Sequence, residues 1–156
     1  MKSMILSAVM VLISSAAFAA DIEISNPHVF APIKGTNTTA GFGTIKNTSK
    51  SEVTVKIVEA KPFKAVELHE SSEKNGRMTM TKMEMYKIPA GQTLELKPGG
   101  NHIMLFDATK PVQEKQTIVI KMMVNDKEQT VNFPVISRMS KEAKPEEKKE
   151  EGHHHH

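Results

Sequence analysis

The sequence predicts a single all-β domain, a β-sandwich that follows an export signal. Three observations predict it. Several segments alternate apolar and polar residues with a period of two, turn residues separate these segments, and no helical periodicity in the mature region exceeds two turns. Such alternation is typical of half-buried strands. At least seven short strands with frequent turns favour a sandwich, and a length of 156 residues suits one domain.

The alternating segments are the expected strands of this sandwich. The clearest are residues 52–57 and 117–124, where every second residue is Val, Ile or Met. In chain order the expected strands are residues 40–46, 52–57, 65–70, 78–87, 93–97, 102–106, 117–124 and 131–135. Between two of them, Asn75-Gly76 is the strongest short hairpin signal.

The N-terminus resembles a cleavable export signal. Lys2 precedes an apolar stretch at residues 4–13, and Ala17-Phe18-Ala19 is a typical cleavage pattern. We therefore predict a signal peptide over residues 1–19, export to the periplasm, and no stable membrane insertion after cleavage. The mature sandwich domain is predicted over residues 20–137.

The C-terminus is predicted to be a charged, disordered tail over residues 138–156. Its Lys- and Glu-rich part has no apolar anchors for packing. The tail ends in four histidines, which are either native metal ligands or a truncated purification tag: His153, His154, His155 and His156.

Composition excludes several function classes. The absence of cysteine excludes disulfides, Cys-ligated zinc, iron–sulfur clusters, thiol catalysis and a cysteine-linked lipid anchor within these residues. Aromatic residues make up only 4% and no basic stripe occurs, so we expect no nucleic-acid binding. No Ser-His-Asp order or CxxC pair suggests an enzyme. The compositional surplus is methionine, with eleven residues.

A histidine and two methionines are expected on one side of the hairpin around Asn75-Gly76. If these two residues form the turn, His69 lies opposite Lys82. Cross-strand partners share a face, so His69, Met78 and Met80 point to the same side. His69 and Met80 are then diagonal neighbours, about 7–8 Å apart at the backbone.

A second pair, His102 and Met104, also shares a face, because the two residues are two apart in a predicted strand. The two pairs together would make a His₂Met₂ site, although the position of strand 102–106 in the sheet stays open. Thioether ligands select Cu(I) over Mg, Ca and Zn. The alternative is that the methionines pack, as we expect for Met122. Met83 and Met85 stay open, and we interpret His28 as a structural residue.

The spacing His-x₁₀-Met-x₂₁-His-x-Met resembles the signature of periplasmic copper chaperones of the PCuA(C) family. Here it is formed by His69, Met80, His102 and Met104. The resemblance extends over residues 22–136. It implies a cupredoxin-like Greek-key β-sandwich in which these four side chains hold Cu(I) near the surface. Met78 stays open as an auxiliary ligand.

The resemblance also implies a function. It implies delivery of copper for respiratory oxidase assembly, with the CuA subunit of the oxidase or a Sco-type assembly protein as the partner, and we expect a monomer. Some family members have His- or Met-rich C-terminal extensions associated with Cu(II), which the four terminal histidines resemble. Phe106-Asp107-Ala108 stands where the family often has Gly-Leu, and we expect this difference to spare the ligands.

Three other functions remain open. Sequestration of copper or silver for metal resistance would use the same ligands. A structural or adhesive β-sandwich would use its methionines only for packing and would bind no stoichiometric Cu(I). A copper redox enzyme is disfavoured, because Met-rich coordination favours Cu(I) and no segment indicates a substrate pocket.

Overall fold

The computed structural model describes residues 21–139, and these form an all-β domain as the sequence predicts. The predicted signal over residues 1–19 and the four terminal histidines lie outside the described residues. The strands are β1 (Ile22–Phe30), β2 (Thr39–Asn47), β3 (Val53–Lys61), β4 (Phe63–Lys74), β5 (Arg77–Met83), β6 (Tyr86–Ile88), β7 (Thr93–Leu96), β8 (Asn101–Ala108), β9 (Thr117–Val124) and β10 (Lys127–Ile136). Within residues 21–139, no helix is long and apolar enough to cross a membrane.

The ten strands form one continuous hydrogen-bonded sheet, which folds into two layers. One layer runs β5-β4-β8-β7-β2-β1, and the other runs β10-β9-β3-β6. A short parallel pairing of β1 with β10 joins them, with Val29 opposite Val135 and Phe30 opposite Ile136. A single core cluster of apolar side chains draws on strands of both layers. The predicted sandwich is therefore confirmed.

The alternation in the sequence correctly locates the core of the second layer. Val53 and Val55 of β3 are fully buried, as are Ile120 and Met122 of β9. Each of these side chains belongs to the core between the layers. Met122 is thus a packing residue, as predicted, and its thioether lies among apolar neighbours.

The first strand, β1, was not expected from the sequence. Its alternation is interrupted by a bulge at Asn26-Pro27, where the register with β2 shifts. Gly43 faces this bulge with a φ of 150°, and a Cβ atom there would lie 3.2 Å from Cα of Pro27. The bulge changes the face on which the following residues point. His28 and Phe30 therefore contact each other outside the main core, with their ring centroids 5.5 Å apart.

The expected strand over residues 78–87 is wrong, because the structure divides it in two. β5 pairs with β4 in the first layer, whereas β6 pairs with β3 in the second layer. The chain crosses between the layers at residues 84–85. Tyr86 and Ile88 are buried after this crossing, while nearly all of β5 is exposed. The crossing residues are Glu84 and Met85, and neither is a Gly or Pro that would indicate a turn.

Candidate metal centre

The hairpin of β4 and β5 has the register that the sequence predicts. Asn75 and Gly76 have positive φ angles of 52° and 72°, as a two-residue hairpin turn of type I′ requires. His69 lies opposite Lys82, and the partner of Met80 is two residues further along β4. His69 and Met80 are therefore diagonal neighbours on one face of the hairpin.

The position of β8, which the sequence left open, brings the second pair beside the first. β8 pairs antiparallel with β4, so that His102 lies directly opposite His69 and Met104 lies opposite Glu67. The two imidazole centroids are 5.6 Å apart. His69, Met80, His102 and Met104 consequently share one face of three adjacent strands, which we call the His–Met face.

The four side chains differ in their exposure to solvent. His102 is only 5% exposed, and the side chain of His69 is 12% exposed. Met104 is half-buried, whereas Met80 on the edge strand is 58% exposed. Met78 lies two residues before Met80 on β5, farther from His69, and is 60% exposed. The imidazoles thus form the floor of the site, and the thioether of Met80 lies at its solvent side.

Each imidazole has one ring nitrogen that donates a hydrogen bond to oxygen. Nδ1 of His102 donates to the backbone oxygen of Gly100 at 2.9 Å, and Nε2 of His69 donates to Oε2 of Glu67 at 2.7 Å. In the neutral imidazoles, this leaves Nε2 of His102 and Nδ1 of His69 with lone pairs. Among residues 21–139, Nδ1 of His69 is the one buried side-chain nitrogen or oxygen without a hydrogen-bond partner. Histidines that bind metals are usually oriented in this way.

Glu67 is a component of the site that the sequence reasoning missed. Besides His69, its carboxylate contacts Lys82, with 2.8 Å between Oε1 and Nζ. The hydrogen bonds from Lys82 and, second, from His69 hold the pKa of Glu67 below its ordinary value, so the carboxylate is ionised. The available signal was its position two residues before His69 on the same strand, which places it on the same face.

Tyr86 supports the site from the opposite layer. Its hydroxyl donates to the backbone oxygen of His69 at 2.5 Å and lies 3.4 Å from that of His102. Burial raises the pKa of Tyr86 to about 12, so the hydroxyl keeps its proton as a donor. This contact links the two histidine-bearing strands beneath the His–Met face. No local pattern in the sequence predicts it, because β6 belongs to the other layer.

Aromatic rings flank both histidines. The ring centroid of Phe106 lies 6.2 Å from that of His69, and Phe42 lies 6.4 Å from His102. The expectation that the Phe106 segment would leave the ligands untouched is therefore wrong. Phe106 lies four residues after His102 on the same face of β8, and its ring lies beside the imidazole of His69.

The remaining candidates lie away from the His–Met face. Met83 lies opposite Leu68, a core residue, and packs against the core. Met85 is half-buried in the crossing between the layers. His28 is buried, and its Nδ1 donates to the backbone oxygen of Asn26 at 2.8 Å, in agreement with its predicted structural role.

The donor set of the His–Met face suits a soft metal ion. No three His, Cys, Asp or Glu side chains between residues 21 and 139 are grouped to hold a metal. Beside the two imidazoles, this face has the thioethers of Met80 and Met104. Zinc sites are normally completed by Cys, His or carboxylate, whereas thioethers favour Cu(I).

Comparison with known proteins identifies the family. A family model described as "Putative lipoprotein LpqE-like" matches residues 22–135. The chain belongs to the LpqE-like family. A curated relative, "Putative lipoprotein Lxx21020" from Leifsonia xyli subsp. xyli (strain CTCB07), is 36% identical over 106 residues. That match spans 67% of this chain and 63% of the relative, so the chain covers less than two thirds of the relative's length.

Solved structures share the fold of this LpqE-like chain. The copper-bound PCuAC domain from PmoF2 is 18% identical, with 76% of this chain and 94% of that chain covered and a TM-score of 0.63. The solution structure of apo-DR1885 from Deinococcus radiodurans is 25% identical, with 89% and 95% covered and a TM-score of 0.57. The chain therefore has the fold of a PCuAC domain, as the resemblance implies, and the predicted cupredoxin-like sandwich is confirmed.

Proposed function

We propose that the protein is a copper chaperone that holds Cu(I) with His69, Met80, His102 and Met104. The observation that carries this proposal is the register of β4, β5 and β8, which brings two imidazoles and two thioethers to one face. One lone-pair nitrogen of each imidazole is left without a donor role. The fold shared with a copper-bound PCuAC domain supports the same assignment.

The exposure of the ligands suits a site that releases its metal. Met80 lies on the edge strand and is largely exposed, whereas His102 is buried and the side chain of His69 is only 12% exposed. We expect an acceptor thiolate or imidazole to attack Cu(I) from solvent and displace the thioether of Met80 first. The metal stays bound to the histidines until a second acceptor ligand replaces them. This exchange needs no catalytic group, so we propose a carrier and not an enzyme.

We propose that the protein acts in the periplasm and delivers copper for oxidase assembly. Residues 1–19 have the pattern of an export signal, and the curated relative is described as a lipoprotein. The proposed acceptor is the CuA subunit of a respiratory oxidase or a Sco-type protein. Impaired oxidase activity of a deletion strain under copper scarcity would support delivery. Sensitivity only to excess copper would favour sequestration instead.

The Cu(I) site is tested by competition with a Cu(I) chelator. We expect mature protein without residues 152–156 to bind one tight equivalent, and the Met80→Ala/Met104→Ala variant to lose it. The matched control is Met139→Ala, which removes an 80% exposed thioether outside the His–Met face. A separate Met78→Ala variant measures any auxiliary role of that residue. Equal affinity of the double variant and the wild type would contradict the proposal.

We also propose that the four terminal histidines, His153 to His156, bind Cu(II) independently of the His–Met face. Clustered imidazoles suit Cu(II), and this segment contains no thioether. Deletion of residues 152–156 should remove one Cu(II) equivalent and leave Cu(I) binding unchanged. An unchanged Cu(II) stoichiometry would contradict this role.

A further inference from the structure

We infer that Glu67 is a positioning residue, which fixes the His69 imidazole in the tautomer that carries its proton on Nε2 and presents Nδ1 to the metal. The metal-binding part of this inference rests on the proposed function. The tautomer itself is a property of the protein without metal and can be measured separately.

The hydrogen bonds of the carboxylate carry the inference. Oε2 of Glu67 lies 2.7 Å from Nε2 of His69, and Oε1 lies 2.8 Å from Nζ of Lys82. An ionised carboxylate only accepts hydrogen bonds, so the neighbouring Nε2 must be the protonated nitrogen. In the neutral imidazole, Nδ1 then has the lone pair, and this nitrogen is buried without a hydrogen-bond partner. The lone pair of Nδ1 in an imidazole fixed in this way is therefore left to bind an electrophile such as a metal ion.

The sheet explains why the carboxylate stays in place. Glu67 precedes His69 by two residues on β4 and shares its face, while Lys82 lies directly opposite His69 on β5. The long Lys82 side chain reaches across to the second carboxylate oxygen. Lys82 of the edge strand therefore binds Oε1 of Glu67, while His69 binds Oε2.

The second histidine is oriented by different means. Nδ1 of His102 donates to the backbone oxygen of Gly100, which no side-chain substitution at that position removes. His69 and His102 consequently present different nitrogens to the shared face, Nδ1 and Nε2 respectively. Of the two imidazole hydrogen bonds, the one made by His69 has a side-chain acceptor, so a substitution of Glu67 should affect the tautomer of His69 and spare that of His102.

Loss of the carboxylate should therefore have two measurable effects. In Glu67→Ala, we expect His69 to populate both neutral tautomers, while His102 keeps its proton on Nδ1. Cu(I) binding must then select the productive tautomer and ring orientation. Removal of such an orienting partner typically lowers metal affinity about 10–100-fold, and we expect a decrease in that range.

The experiment uses ¹⁵N-labelled mature protein without added metal. Long-range ¹H–¹⁵N NMR correlations of the imidazole rings assign the tautomer of each histidine, and chelator competition then gives the Cu(I) affinity. Three variants are compared with the wild type. Glu67→Ala removes the carboxylate, Lys82→Leu removes its anchor without adding a thioether, and Glu73→Ala removes another carboxylate from the same face of β4. We expect Lys82→Leu to retain the Nε2–H tautomer, because the carboxylate is still present, and Glu73→Ala to match the wild type.

The outcomes separate this inference from the proposed function. An Nδ1–H tautomer of His69 in the wild type, or an unchanged tautomer in Glu67→Ala, would overturn the positioning role. The same tautomer change in Glu73→Ala would also overturn it, since the effect would not be specific to Glu67. If the tautomers respond as expected but the wild type binds no Cu(I), the proposed function fails and the positioning role stands.

Discussion

Substitution of single methionines by leucine separates ligands from packing residues. Leucine has nearly the volume of methionine but has no sulfur, so the exchange removes a thioether with little change of shape. Met80 is 58% exposed on the edge strand, whereas Met122 is fully buried in the core. We therefore expect Met80→Leu to reduce copper binding without loss of stability. We expect Met122→Leu to lower stability without reducing copper binding.

The burial of each residue gives the expected magnitudes. At an exposed site such as Met80, the free energy of unfolding without metal should change by no more than about 0.5 kcal/mol. At Met122, a volume-conserving exchange should cost about 1.5 kcal/mol or less. With free Cu(I) at about 100 times the wild-type Kd, binding should stabilise the wild type by about 2.7 kcal/mol. If Met80→Leu weakens binding about 100-fold, about 0.4 kcal/mol of that stabilisation remains.

Thermal denaturation under reducing, anaerobic conditions measures both quantities. For a chain of this size, about 1 kcal/mol corresponds to about 2–4 °C in Tm. Cu(I) should therefore raise the Tm of the wild type and of Met122→Leu by about 5–11 °C, and that of Met80→Leu by about 1–2 °C. A full shift in Met80→Leu would refute the assignment of Met80 as a ligand. If Cu(I) did not raise the Tm of Met122→Leu, the interpretation of Met122 as a packing residue without a role in copper binding would be refuted.

Two further substitutions test hydrogen bonds of buried side chains of the fold, one at Asn47 and one at Tyr86. Asn47 is fully buried, and its side-chain amide donates to the backbone oxygens of Ser51 and Ile88 at 2.7 and 2.8 Å. Asn47→Ala should lower the free energy of unfolding by about 2–4 kcal/mol in urea denaturation, and a loss below about 1 kcal/mol would contradict this reasoning. Burial raises the pKa of Tyr86 from 10.0 to about 12, so the unfolded chain loses this proton first as the pH rises. The stability advantage of the wild type over Tyr86→Phe should therefore be full below pH 10 and decline towards pH 12, and a constant difference across this range would refute the buried donor role.

Half of the candidate site could be predicted from the sequence because local rules determine it. Asn75-Gly76 dictates a two-residue turn, and that turn sets the register of the two strands beside it. With the register known, the period of two places His69 and Met80 on the same face. The structure has this register, residue for residue. The all-β class follows from equally local patterns of alternation.

The other half depends on contacts between distant parts of the chain. The turn before β8 does not determine which strand β8 joins, so the direct opposition of His102 and His69 could not be derived from local rules. The same holds for Tyr86, whose hydroxyl reaches the site from the other layer. The contact of Lys82 with Glu67 depends on side-chain conformation, which strand register alone does not specify. The β1 bulge likewise depends on close packing against Gly43 of a neighbouring strand.

The division of the site between strands has a consequence for metal exchange. β4 and β8 lie inside the layer and have neighbours on both sides, whereas β5 is the edge strand and pairs only with β4. The two imidazoles are therefore held by the sheet and by their hydrogen bonds, and in the proposed site they would set the geometry at the metal. Met80 is attached to the strand with the fewest constraints, and its side chain is exposed to solvent. In the proposed exchange, an acceptor can thus replace Met80 without disturbing His69 and His102, because Met80 is exposed and no core contact has to break when its thioether leaves.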